Sequence, residues 1–363
     1  MNNDLVLIVM KGYADRGENV NKHLCELMGV DKNFIIDFSN PRFSNGESKV
    51  VIDQTVRNKD VYIIADVGNH SCTYKIYDHE NHMSPDEHYV DVTRVISAIG
   101  GKARRITIVM PLMYASRQHR RSGRESLDCA MALRHFEELG VSNVITFDLH
   151  DMEVQNTNPI GSIDSIMPLY AVLKEFIANE RENISKDKMV VISPDTGAMN
   201  RAKKYAGILG LDIGLFYKQR DYTKIVNGKN PVIQHQYIGP DINGKSALII
   251  DDMLSSGDSV LDVADKLKAR GADKIYVITT FAFFTEGYDK FDEFNKKGFI
   301  EKVYSTNASY IPEELRNKKW FNEIKVDNVV GDVIYALNQN KGLGEILDRK
   351  KEIQVLTNSL KEQ

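Results

Sequence analysis

Ala247-Leu248-Ile249-Ile250-Asp251-Asp252-Met253-Leu254-Ser255-Ser256-Gly257-Asp258-Ser259 is the stretch on which the reading of this chain turns. Its four consecutive apolar residues predict a strand buried on both faces, as in a parallel sheet covered by helices. Asp251 and Asp252 follow at the predicted carboxyl end, where open α/β sheets bind their ligands. A short loop of hydroxyl residues and glycine comes next, and then a helix. Val260, Val263, Ala264 and Leu267 fall at i, i+3, i+4 and i+7, and Gly271 stands where a C′ glycine belongs. Such a loop can aim backbone N–H groups and hydroxyls at a phosphate, with the helix N-terminus adding positive potential. The two carboxylates suit ribose hydroxyls or a magnesium shell. The alternative is an ordinary strand-to-helix turn whose Asp and Ser residues cap the helix.

Size and charge narrow the classes. A chain of 363 residues predicts two domains, each large enough for its own core. The net charge of −4 gives no general attraction to nucleic acid or to an anionic membrane, so any anion binding must be local. Cys25, Cys72 and Cys129 show no CxxC spacing, which fits a reducing cytosol. Met1-Asn2-Asn3-Asp4 does not read as a signal peptide, and no apolar run reaches membrane-spanning length. The expectation is a soluble cytoplasmic protein.

Along the chain, strands are predicted at Leu5–Met10, Phe34–Phe38, Val50–Ile52, Val61–Ile64, Ile106–Met110, Asn143–Phe147, Met189–Ile192, Ile213–Phe216 and Lys274–Thr280. Helices are predicted over Glu18–Met28 and Leu127–Leu139. Another starts at Ser84-Pro85-Asp86-Glu87, a capping box with proline at N1, and stops at Gly100-Gly101. Residues 66–83 are polar and weakly periodic, and their histidines match no zinc spacing. Residues 344–363 predict one amphipathic helix. Polar clusters close several predicted strands: Asp148 with His150, Asp195, Lys218 with Arg220, and Asp251 with Asp252. Carboxylates suit a magnesium–nucleotide complex, and Lys and Arg suit a phosphoryl group gaining charge in a transition state. Singly, each cluster also reads as a turn, a cap or a solvated loop.

Jointly and in this order, the clusters resemble those of the ribose-phosphate diphosphokinases (phosphoribosyl pyrophosphate synthetases), from about Phe43 to Gly271. Phe43-Ser44-Asn45-Gly46-Glu47 resembles the family's Phe-x-Asp/Asn-Gly-Glu segment, which implies that Phe43, Asn45 and Glu47 reach the ATP of a neighbouring subunit. Ala115-Ser116-Arg117-Gln118-His119-Arg120 resembles Ala-Arg-Gln-Asp-Arg with one residue inserted and His in the Asp position, making Arg117 and Gln118 ATP contacts. Asp148-Leu149-His150 matches outright, and the resemblance gives His150 a catalytic and magnesium-binding role. Pro194-Asp195-Thr196-Gly197 makes Asp195 a metal-site residue. Lys218-x-Arg220 matches the flexible catalytic loop, and Asp251-Asp252 the ribose-binding pair, with Ser255, Ser256, Gly257 and Ser259 as the phosphate loop.

The implied architecture is α/β, with two tandem phosphoribosyltransferase-like domains, each a mainly parallel sheet flanked by helices. The expected division is 1–160 on the ATP side and 161–343 on the ribose-phosphate side, with helix 344–363 packing back on the first domain. The implied chemistry transfers the β,γ-pyrophosphate of Mg–ATP to the anomeric hydroxyl of ribose 5-phosphate. The cofactor is Mg2+, the partners are small molecules, and the expected assembly is a homo-oligomer, dimer or hexamer. The sugar-phosphate end departs from the pattern: the usual Asp-Thr-Ala-Gly-Thr reads Ser255-Ser256-Gly257-Asp258-Ser259. Asp258 is a poor neighbour for a phosphate dianion unless its side chain turns away. Residues 156–158 also replace an aromatic pair. These changes keep two alternatives open: the same chemistry on a 5-substituted ribose phosphate such as ADP-ribose, and a non-catalytic regulatory homologue. A transferase that consumes the activated sugar would not need the N-terminal ATP set.

Overall fold

The computed structural model describes residues 4–121, 123–157, 161–220 and 232–361, with side chains at 218–220, 232–235, 347–348, 359 and 361 outside that description. The chain forms two compact units. Unit 1 takes the chain up to Pro168 and adds Asn307–Tyr310 and Lys325–Asp348; unit 2 takes Leu169–Thr306, Ile311–Ile324 and the chain from Arg349 on. A single cut near residue 160 therefore does not describe the layout, because two later segments return to unit 1.

Among the described residues, unit 1 is built on a five-stranded parallel sheet, in the order Leu5–Val9, Asp60–Ile64, Arg105–Val109, Asn143–Phe147 and Ser162–Ile166. Its strands are short and apolar, since both faces are covered. The helix Pro85–Ile99 begins as its sequence predicts. Ser84 accepts the Glu87 N–H at 3.3 Å, and Glu87 accepts the Ser84 N–H at 2.9 Å. The helix closes on Gly100 at φ 60° and turns Val92, Ile96 and Ile99 into the core.

Unit 2 carries a seven-stranded sheet, in the order Val232–Ile238, Asp212–Arg220, Met189–Ser193, Ser246–Leu254, Ile275–Ala282, Lys302–Thr306 and Phe321–Ile324. All pairs are parallel except the first. Ala247, Leu248, Ile249 and Ile250 are fully buried in the centre. The strand does not stop before the carboxylates. Its pairing with Ile275–Ala282 continues through Asp251↔Thr279 to Leu254↔Ala282, so Asp251 and Asp252 lie inside the ladder.

Other differences have local causes. Of the strand expected at Phe34–Phe38, Phe38–Ser39 alone pairs, with Val51–Ile52, while Ile35 makes a lone bridge to Leu7. Within residues 66–83 the structure has a hairpin, Thr73–Ile76 with His79–His82, turned at Tyr77 and Asp78 with φ 46° and 62°. That is a turn needing two positive φ values, without the Asn-Gly that would have announced it. Asp212–Arg220 is a nine-residue strand rather than the four expected, because it pairs with Val232–Ile238. Arg349, at φ 35°, breaks the expected single helix 344–363. Gly344–Asp348 belongs to unit 1, while Lys350–Lys361 packs in unit 2 on Leu169–Glu180 and Met199–Leu209.

Buried carboxylates draw the late segments into unit 1. Asp66 accepts from Arg16 Nη2 at 2.6 Å, Ser309 Oγ at 2.9 Å, the Tyr310 N–H at 2.8 Å and the Gly68 N–H at 3.0 Å. Arg16 also donates to the Asn307 carbonyl at 2.6 Å. Asp60 accepts from Arg105 at 2.6 Å and Asn338 at 2.9 Å. Removing one member of such a buried pair strands the other charge, so Asp66→Ala should destabilise the protein by about 3–5 kcal/mol. Urea unfolding checks this, and an unchanged midpoint would contradict the role given to Asp66.

Candidate active site

The unit 2 cluster begins on the central strand. Asp252 is buried and Asp251 half-buried, and the Asp252 N–H donates to Asp251 Oδ1 at 2.9 Å. Burial first, then the Asp252 charge and a hydrogen bond between the two carboxyl side chains, and then the Asp195 charge, push the Asp251 carboxyl up to about 8 against the lowering effect of the Asp252 N–H. Asp195 follows the neighbouring strand Met189–Ser193. Its Oδ1 accepts the N–H groups of Gly197 at 2.9 Å and Ala198 at 3.1 Å, tightening the turn into the helix Met199–Leu209. Three carboxylates on adjacent strand ends form an acidic group whose mutual repulsion a divalent cation would relieve. Among the described residues, no three His, Cys, Asp or Glu side chains converge closely enough to enclose a metal by themselves. This donor set fits Mg2+, which keeps several waters and takes one or two protein oxygens plus phosphate.

The loop Ser255–Gly257 joins the strand to the helix Asp258–Ala269. Gly257 is the N-cap at φ 84°, and a Cβ there would lie 2.4 Å from the Phe291 ring. No other residue fits both the backbone and the space. Val260, Val263, Ala264 and Leu267 are buried, and Gly271 follows at φ 83°. Asp258 is exposed, with Oδ1 2.7 Å from Lys290 Nζ and Oδ2 accepting from Ser256 Oγ at 3.1 Å. Sequence reasoning missed Lys290, because nothing in the stretch 251–259 signals a residue from a helix some thirty positions later. Ser255 and Ser256 are half-buried, and Ser259 is exposed on the first helical turn.

In unit 1, Arg117 and Gln118 lie exposed on a turn made possible by Ala115 at φ 54°. The Gln118 N–H donates to the Ala115 carbonyl at 2.8 Å. His119, in the position where the resembling motif has Asp, bridges the Ser116 carbonyl at 3.0 Å and Asp151 Oδ2 at 3.1 Å. Its ring meets the exposed His150 edge-on, with centroids 5.8 Å apart. Asp148, at φ 40°, makes the bend that follows the strand Asn143–Phe147. Burial raises the Asp151 carboxyl, but the Glu153 N–H, Arg120 and His119 outweigh it and hold Asp151 below the usual range. His119 thus links the Arg117–Gln118 turn to His150 and is itself held by the unforeseen Asp151.

Phe43, Asn45 and Glu47 are exposed around a tight turn, where the Phe43 N–H donates to the Glu47 carbonyl at 2.7 Å and Gly46 takes φ 92°. The turn is tied down from behind. Buried Asp91 accepts from Asn40 at 2.9 Å, Arg42 at 3.1 Å and Ser48 at 3.1 Å, and Arg42 lies 4.3 Å over the Tyr74 ring. Lys218 and Arg220 sit on the strand Asp212–Arg220, with a register shift between Gln219 and Arg220, and their side chains lie outside the described residues. The rest of the expected catalytic loop, 221–231, lies outside them too.

Two family models match the chain. The "N-terminal domain of ribose phosphate pyrophosphokinase" covers residues 5–140, and the "phosphoribosyl transferase domain" covers 159–313. Among similar curated proteins, ribose-phosphate pyrophosphokinase 2 of Enterococcus faecalis is 26% identical over 86% of this chain and 88% of its own length. Ribose-phosphate pyrophosphokinase 1 of Streptococcus pneumoniae is 27% identical over 92% and 96%. The crystal structure of phosphoribosylpyrophosphate synthetase from Mycobacterium smegmatis superposes with a TM-score of 0.76 at 20% identity, over 93% of this chain and all of that one, a likeness of fold.

The Asp251 environment has a pH signature. Its folded carboxyl holds a proton more tightly than in the unfolded chain, so its stabilising contribution is complete below about pH 4 and is lost as pH rises through about 8. In metal-free buffer, Asp251→Asn should be more stable than the parent near pH 9, with the gap closing toward about pH 4. Thermal denaturation across that range checks it, and a pH-independent gap would contradict it.

Proposed function

We propose, on the premise that this chain belongs to the ribose-phosphate pyrophosphokinase family, that it transfers the β,γ-pyrophosphate of ATP to the anomeric hydroxyl of ribose 5-phosphate, releasing AMP. The observation that carries this is the acidic group Asp195, Asp251 and Asp252 beside the Ser255–Gly257 loop. It provides for ribose hydroxyls, a magnesium-bound polyphosphate and a terminal phosphate on adjacent strand ends. The match to the N-terminal pyrophosphokinase domain favours this reading over a transferase that consumes the activated sugar.

The sugar hydroxyl attacks the β-phosphorus in line, the bond to the α-phosphate oxygen breaks, and AMP departs with that oxygen. Asp251 and Asp252 orient the ribose hydroxyls. The Ser255, Ser256 and Ser259 hydroxyls, with the backbone at Gly257, hold the 5-phosphate. Bound Mg2+ would offset the polyphosphate charge; Asp195 is the candidate metal group of unit 2, and His150 that of unit 1. Arg117 and Gln118 contact ATP, and Lys218 and Arg220 stabilise charge developing on the transferred group. No protein nucleophile is required. The clamped turn presenting Phe43, Asn45 and Glu47 supports a homo-oligomer in which it completes a neighbour's ATP site. Free Cys25, Cys72 and Cys129, and the absence among described residues of a helix long and apolar enough to cross a membrane, support a cytoplasmic setting.

A second reading rests on Asp258. An acid at the mouth of the phosphate loop is more compatible with a singly charged phosphodiester than with a terminal dianion, which favours an esterified acceptor such as ADP-ribose. The regulatory alternative is disfavoured by the intact Asp251, Asp252, His150, Lys218 and Arg220.

Release of AMP from Mg–ATP with ribose 5-phosphate, ADP-ribose or no acceptor separates these readings. The expected result is turnover with ribose 5-phosphate, reduced roughly 10²–10³-fold in kcat by Lys218→Ala. Turnover with ADP-ribose alone would move the assignment to the second reading, and silence with both would overturn the enzymatic one.

A further inference from the structure

We propose that Lys290 is a specificity-determining residue of the sugar-phosphate loop: it offsets the charge of the Asp258 carboxylate so that a loop carrying an acid still accepts a 5-phosphate. The inference rests on the reading of Ser255–Ser259 as the phosphate loop. Asp258 occupies the first turn of the helix Asp258–Ala269, the position with the strongest positive backbone potential, and an unrestrained carboxylate there competes with any bound anion. Lys290 Nζ lies 2.7 Å from Asp258 Oδ1, while Ser256 Oγ donates to Oδ2, so both carboxylate oxygens are engaged within the loop and its neighbour. Glu286 Oε2, 2.9 Å from the same ammonium, holds Lys290 from its own side.

The ion pair is exposed, and by itself would signify little. Its register, however, is fixed by ring packing and backbone hydrogen bonds that do not depend on side-chain charge. The residue after Lys290, Phe291, is buried with its ring where a Cβ on Gly257 would stand. The Thr285 N–H donates to the Ser255 carbonyl at 2.9 Å, and the Phe283 N–H to the Leu254 carbonyl at 2.8 Å. The segment 283–291 is thereby built onto the loop as its wall, and Lys290 is delivered to Asp258 by packing.

Steady-state kinetics on the full chain at saturating Mg–ATP test this with Lys290→Met, Asp258→Asn and the double variant. Lys290→Met is expected to raise KM for ribose 5-phosphate by about five- to tenfold while leaving KM for ATP unchanged, and Asp258→Asn added to it should bring KM back to within about twofold of the parent. A merely structural lysine would not be rescued by removing a second group. An unchanged KM in Lys290→Met, or a double variant as impaired as the single one, overturns the proposal while the function stands. A parent protein that releases no AMP with ribose 5-phosphate overturns the acceptor assignment, and the proposal falls with it.

Discussion

Two neighbouring carboxylates on the central strand of a buried sheet are the constraint on which the functional half of this molecule depends. Asp251 and Asp252 follow four fully buried apolar residues, and the ladder to Ile275–Ala282 carries them within the sheet instead of releasing them into a loop. Their side chains come within hydrogen-bond reach of each other, and Asp195 adds its charge from the next strand end. Burial first, and then that conflict, raises the Asp251 carboxyl. A protein selected for stability alone would place apolar or amide groups here. Hydroxyl-rich ligands and a hydrated divalent cation are what such a group can hold, and binding them relieves the repulsion that folding imposes.

The acids of unit 1 make the contrast. Asp60, Asp66 and Asp91 are at least as buried, yet each is met by arginine and by further donors. They act as joints. Asp66 and Asp60 hold the returning segments 307–310 and 325–348, and Asp91 fixes the base of the turn that exposes Phe43 and Glu47. The same side chain thus serves as a joint where guanidinium groups reach it, and it is where other carboxylates reach it that we place ligand binding.

Much of this was legible in the sequence, and the remainder was hidden for physical reasons. The helix Pro85–Ile99 was readable from Ser84, Pro85, Glu87 and Gly100 because capping is a local interaction. The buried run 247–250 and the helix that follows were readable from periodicity. The hairpin at residues 73–82 was not, since Tyr77 and Asp78 adopt positive φ without glycine or asparagine. The length of Asp212–Arg220 depends on a partner strand later in the chain. Of the site, the residue types at Asp195, Asp251, Asp252 and His150 carried the reading. Asp151 and Lys290 did not, because their roles come from what tertiary packing sets beside them. The acid at Asp258 looked like a defect in the loop until Lys290 was seen against it.

Transfer of the pyrophosphoryl group as one unit is what separates the proposed reaction from transfer of a single phosphoryl group. Phosphorus NMR of the products formed from Mg–ATP and ribose 5-phosphate tests that most directly. The expected products are AMP and a sugar 1-diphosphate, seen as a pair of coupled resonances with no ADP at early times. ADP with a sugar 1,5-bisphosphate would place the attack on the γ-phosphorus and rule out transfer as one unit.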